Sequence, residues 1–206
     1  MLHRTLHPLG LAVLGLSVAL TAACDREDPG LPTAVTAVDE LAASAETSDA
    51  DVVLMSDGAT VVGQSHLTRN QNGIRANVRT SGLTPGDVVT LWLVAFQDPD
   101  GCIDACDSPP EDLGPGRAAL GLAGAQIVPS SGKVTIAGKF DVGDEAALVQ
   151  FGSVDVFDTP FGSEVHLVIR AHGPVIPELL AEQTGSFNGG CPPNACVSIQ
   201  VGIHQP

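Results

Sequence analysis

At 206 residues, with 24 Asp and Glu against nine Lys and Arg, the chain carries a formal net charge of −15. That balance excludes nucleic acid and anionic membrane surfaces as charge-matched partners. One Trp, six Phe and no Tyr leave few aromatic rings for a glycan- or peptide-gripping platform.

The first segment in chain order is an export signal. Arg4 precedes an apolar run over residues 9–20, and Thr21, Ala22 and Ala23 are small residues ahead of Cys24. Positive, apolar and small, in that order, is the layout of a secretory signal. The run is well short of the roughly 20 residues a bilayer-spanning helix needs. Two small residues followed by cysteine resemble the lipobox of bacterial lipoproteins, which implies cleavage after residue 23 and acylation of the Cys24 sulfur. The expected organisation is a signal peptide over 1–23, lipidated Cys24 with an acidic tether over 24–51, and one domain over 52–206. The tether is rich in Ala, Asp, Glu, Thr and Ser and has no aromatic residue, so it buries too little apolar area to offset its ordering entropy.

The domain reads as all-β. Residues 59–68 form a strand, Asn70 to Gly73 a turn, and 74–80 the returning strand of a hairpin. Ile74, Ala76 and Val78 alternate with Arg75, Asn77 and Arg79, so one face is buried and one wet. Leu83-Thr84-Pro85-Gly86-Asp87 is a second turn. Residues 88–96 are apolar on both faces and predict a central strand that places Trp92 in the core. Further strands are expected over 133–140, 164–171 and 197–203, and a short helix with Pro in its first turn over 177–183. Residues 146–151 fit neither period. Many short strands punctuated by 23 Gly and 15 Pro predict an antiparallel β-sandwich, Greek-key-like or barrel-like.

Five cysteines are an odd number. With Cys24 acylated, Cys102, Cys106, Cys191 and Cys196 remain, and an exported chain predicts two disulfides from them. Local pairing, 102–106 and 191–196, is preferred over the other two connectivities and over a four-thiolate zinc site. Loops this small remove little chain entropy, so each bridge is expected to pin a loop rather than hold the fold.

His66, His166, His172 and His204 lie on or just after strands and are candidate ligands for copper or zinc. His166 and His172, on one face of a straight strand, would stand about 20 Å apart at roughly 3.3 Å per residue, so they cannot share an ion unless the chain reverses. The alternative to a metal is that His172 bonds a loop backbone and the others are half-exposed. Asp98, Asp100 and Asp104 form an acidic loop whose hard oxygens suit calcium. Nucleophilic catalysis finds no Gly-x-Ser-x-Gly elbow, and Ser65 and His66, as strand neighbours, point to opposite faces.

Two blocks carry a resemblance. The first is Gly63-Gln64-Ser65-His66-Leu67-Thr68-Arg69, then Ser81-Gly82-Leu83-Thr84-Pro85-Gly86, then Trp92 to Phe96 before the acidic Cys loop. The second is His166-Leu167-Val168-Ile169-Arg170-Ala171-His172-Gly173-Pro174, Glu182-Gln183, and Phe187-Asn188-Gly189-Gly190-Cys191 with Cys196. Together they resemble a family of uncharacterised exported bacterial β-rich proteins. The Gly-Leu-Thr-Pro-Gly turn is more distantly similar to chordin-type (CHRD) domains, which implies a sandwich related in architecture to copper–zinc superoxide dismutase and implies no activity. The functional expectation is a lipid-anchored envelope protein with a non-catalytic binding or structural domain. Its partners would be the membrane, through the lipid, and an envelope protein or small ligand at loops 97–123 and 172–196. A copper or zinc metalloprotein and a calcium-stabilised adhesion module are the alternatives.

Overall fold

The period-two segments fold into antiparallel strands. The computed structural model describes residues 45–107, 111–145, 156–193 and 195–206; the export signal, Cys24, most of the tether and residues 146–151 lie outside them. Within the described residues the chain forms β1 (Glu46–Leu54), β2 (Val61–Asn70), β3 (Gly73–Thr80), β4 (Asp87–Phe96), β5 (Ala118–Ile127), β6 (Val134–Asp141), β7 (Glu164–Pro174) and β8 (Val197–His204). A 3₁₀ turn over Pro177–Leu179 leads into the helix α1 (Leu180–Gly185).

All eight strands belong to one sheet, in the order β5-β4-β7-β8-β1-β2-β3-β6. Every pairing is antiparallel. The chain leaves β3, crosses to β4, and returns with β6 beside β3, a Greek-key path. The sheet curls until its edge strands β5 and β6 lie against each other, so the all-β expectation is met in its barrel-like form. Close approach at this seam requires small residues. A Cβ on Gly138 would stand 2.4 Å from both the Cβ and the carbonyl oxygen of Ala123. Gly138→Val is therefore expected to destabilise the domain by about 1–3 kcal/mol through overpacking. The control, Gly185→Ala, enters open space and should shift the urea midpoint little; equal midpoints for the two variants would contradict the tight seam.

Two departures from the sequence reading concern where strands begin. The first strand starts at Glu46, inside the stretch assigned to the tether, because β2 supplies a full ladder from Glu46↔Arg69 to Val52↔Gly63. Tertiary pairing, not local apolarity, orders this segment. The second is β5, which occupies residues assigned to a loop. Its Ala- and Gly-rich run has a single β-branched residue, Ile127, at its end and is held by pairing with β4 along its length.

β4 and β7 divide the interior. Val89, Leu91, Leu93 and Ala95 of β4, with Val165, Leu167 and Ile169 of β7, point into the main core. The opposite face of the same strands carries a second apolar cluster: Val94 and Phe96 with Cys106, Leu113, Ala118 and Leu120, packed by Val168 and Phe187. Cys102, Cys106 and Leu113 from the chain after β4, and Phe187 from the chain after α1, cover that face. Trp92, 2% exposed, is a core residue, as its apolar run predicts.

Candidate functional site

Both cysteine pairs are local, with Cα–Cα distances of 5.1 Å for Cys102–Cys106 and 5.4 Å for Cys191–Cys196. These lie inside the disulfide range of roughly 4.4–6.8 Å. Each bridge closes part of a segment that covers the second face of β4 and β7.

His172 sits where β7 is bulged. Val88 of β4 faces Gly173 and Val89 faces Ala171, so His172 is the extra residue. A bulge re-aims the side chain it carries. The imidazole is fully buried. Its Nε2 is 3.0 Å from Thr90 Oγ1, which accepts the indole N–H of Trp92 at 2.9 Å. An indole nitrogen only donates, so the Thr90 hydroxyl is free to donate to Nε2. That places the ring proton on Nδ1, 3.1 Å from the Gly189 carbonyl. Burial pushes the His172 pKa down, with a smaller push from the Arg170 charge, against a rise from the Gly189 bond; the ring is neutral at neutral pH. The same Nδ1 stands 3.5 Å from Cys191 Sγ and 3.3 Å from Cys196 Sγ.

Arg170, two residues before His172 in β7, fixes the rest of the segment. Its Nε donates to Phe187 O at 2.7 Å and its Nη1 to Ser198 Oγ at 2.9 Å. Nη2 donates to Asn188 Oδ1 at 2.7 Å and Cys196 O at 2.9 Å. The guanidinium lies 4.1 Å from the centre of the Phe187 ring, which meets Trp92 edge-on at 5.1 Å. Desolvation lowers the Arg170 pKa, yet a guanidinium remains charged.

The other histidines have separate surroundings. His166 Nε2 is 2.7 Å from Glu164 Oε1, both side chains 6% exposed, and its ring meets Phe96 edge-on at 5.0 Å. His66 is exposed on β2, its Nδ1 2.8 Å from Asp49 Oδ1 on β1. His204 lies inside the barrel end. There the β1–β8 ladder covers only Val52 to Leu54, and side chains bridge the strands beyond it. His204 Nδ1 is 2.8 Å from Ser48 Oγ and Nε2 is 2.9 Å from Ser65 Oγ. Ser65 Oγ donates to Ala50 O at 3.2 Å, and Arg69 Nη1 donates to Ser48 Oγ at 3.2 Å. The donors run one way: Arg69 to Ser48, Ser48 to His204, His204 to Ser65, Ser65 to Ala50. Burial and then the Arg69 charge push the His204 pKa down to about 4.

The candidate copper or zinc ligands His66, His166, His172 and His204 are therefore not brought together. Among the described residues, the one group of three metal-capable side chains with ligand atoms within 4.8 Å is His172, Cys191 and Cys196. His66 and His204 lie on opposite faces, because His204 bonds Ser65, the strand neighbour of His66. Nor do Asp98, Asp100 and Asp104 bring three carboxylates that close. Their loop is shaped instead by a 3₁₀ turn over Pro99–Gly101 and by Asp112 Oδ1, which accepts the backbone N–H of Ile103 and Asp104. His172 does bond a loop carbonyl, as its alternative reading held, but His166 and His204 are buried rather than half-exposed. The roles of Arg170, Thr90, Arg69 and Gln97 carried no sequence signal. Gln97 spans loops, accepting from Asp158 and Thr159 N–H at 2.6 and 2.9 Å and donating to Val156 O at 3.2 Å.

One end of the barrel is an open, largely apolar groove of about 700 Å³, walled by Leu54, Met55, Leu83, Val197 and Ile199, with Asp87 on its rim. Burial raises the Asp87 pKa. No described helix is long and apolar enough to cross a membrane. In comparisons with known proteins, no family model, no curated protein and no solved structure matches this chain.

Proposed function

We propose that the chain is an exported lipoprotein of the bacterial envelope, anchored through Cys24, whose β-domain is a non-catalytic binding or structural module. One observation carries this reading. Two segments with disulfide-distance cysteine pairs are laid over the second face of β4 and β7, and the buried polar side chains there are spent on holding them. His172 and Arg170 hold 186–196; Asp112 and the 102–106 pair shape loop 97–117. Such bridges belong to an oxidising compartment, which agrees with the export signal. His204 is 1% exposed and its ring is enclosed between Ser48 and Ser65 inside the barrel end, so no substrate on the surface comes within proton-transfer reach of it. The module would present loops 97–117 and 172–196 to an envelope protein or small ligand, with the tether setting its reach.

Fractionation of the native host tests the anchor. Wild-type protein is expected in the membrane fraction and in the detergent phase on partitioning. Cys24→Ser should lose acyl labelling and leave uncleaved precursor. Wild-type protein in the soluble fraction with an unmodified amino terminus would contradict the proposal.

A further inference from the structure

We propose that His172, Cys191 and Cys196 form a redox-gated site for a thiophilic cation, Cu(I), closed while the two cysteines are joined and open once a dithiol reduces them. Two observations meet at one point. His172 Nδ1 stands 3.5 and 3.3 Å from the two sulfurs. With metal–sulfur and metal–nitrogen bonds of about 2.3 and 2.0 Å, nitrogen and sulfur ligands of one ion lie ~3.5–3.7 Å apart, so the imidazole is already at ligand distance. The 5.4 Å Cα separation of the cysteines lets the sulfurs swing apart by side-chain rotation with the backbone in place.

The donor set selects the ion. Two soft thiolates with a borderline imidazole favour Cu(I) or zinc over calcium or magnesium. The three are buried or half-buried, and three donors satisfy Cu(I). Two thiolates and Cu(I) leave one net negative charge. Arg170 lies beside it, bound to Cys196 O at 2.9 Å. The surroundings also accommodate the tautomer that ligation demands. A metal on Nδ1 moves the ring proton to Nε2, 3.0 Å from Thr90 Oγ1. The Thr90 hydroxyl then turns from the imidazole toward Arg170 O, 3.5 Å away. Partners of this kind fix a ligating histidine.

The chemistry balances. A dithiol donates two electrons and two protons, becoming a cyclic disulfide, and the Cys191–Cys196 bond becomes two thiols. Cu(I) displaces both thiol protons as it binds.

The test uses the full mature chain, reduced with excess dithiothreitol, desalted without oxygen, and titrated with Cu(I) against a chromophoric Cu(I) chelator. One equivalent is expected to bind with a thiolate-to-copper absorption band, and the oxidised protein should bind none. Cys191→Ser with Cys196→Ser should abolish uptake, while Cys102→Ser with Cys106→Ser should retain it. His172→Gln should weaken it at least about tenfold. Far-UV circular dichroism and melting follow the fold throughout, and copper should raise the melting temperature of the reduced wild type. Reduced, folded protein that takes no copper would overturn the site. So would uptake that survives loss of Cys191 and Cys196, or reduced protein that unfolds and is not restored by copper. None of these results bears on the Cys24 anchor.

Discussion

Replacing Arg170 by alanine is expected to lower stability by about 3–5 kcal/mol and to free residues 186–196 from the sheet. One guanidinium satisfies the Phe187 and Cys196 carbonyls, the Asn188 side chain and the Ser198 hydroxyl. Losing a charged donor removes bonds worth more than neutral ones and orphans acceptors at about 1–3 kcal/mol each where they stay buried. The stacked face of Phe187 goes with it, loosening the edge contact with Trp92. The segment can peel into water, which caps the loss but uncovers the second face of β4 and β7. The melting temperature should fall by about 10 °C, at roughly 2–4 °C per kcal/mol for a domain of this size. Limited proteolysis should cut first within 186–196. Arg170→Lys keeps the charge but not the planar fork and should fall between. An unchanged melting temperature for Arg170→Ala would refute the clamp.

Acid should unfold the barrel through His204, and Arg69 should set how steeply. The His204 pKa is pushed down to about 4 by burial first and the Arg69 charge second. In the unfolded chain the imidazole titrates near its ordinary value of about 6.5. The native state therefore binds the proton less readily than the unfolded one. The stabilisation is complete above about pH 6.5 and is lost as pH falls toward about 4, on the order of 2 kcal/mol after allowing for solvent access. Arg69→Met has two effects. At pH 7 it withdraws the donor to Ser163 O, His204 O and Gln205 O, a loss of about 2–4 kcal/mol. It also removes a positive charge near His204, raising the folded pKa and flattening the slope between pH 6.5 and 4. Urea midpoints across that range, for wild type and variant, check both. Parallel slopes would show that Arg69 does not act on His204.

The parts of the fold that could be read from the chain are those whose own residues state their burial. The β2–β3 hairpin follows from the alternation of Ile74, Ala76 and Val78 with Arg75, Asn77 and Arg79. β4 follows from a run that is apolar on both faces, and its second face does meet a second apolar cluster. β1 was hidden because the residues beside its inward Val52 are Ser48 and Ala50, which serve a polar cluster and a ladder instead of an apolar core. β5 was hidden because the seam with β6 demands glycine and alanine, the composition of a loop. For the site, cysteine spacing indicated the two local pairs. Histidine spacing could not indicate what His172 meets, since a bulge at that residue sets its aim. His204 and Ser65, 139 residues apart in sequence, are joined only by the closed sheet.

The proposed function requires an exported, oxidised, lipid-tethered chain. Peptide mapping by mass spectrometry, without reduction, on protein extracted from the native membranes tests this directly. The expected result is an acylated amino-terminal Cys24, with Cys102 joined to Cys106 and Cys191 joined to Cys196. An unmodified amino terminus, or four free thiols in those loops, would contradict it.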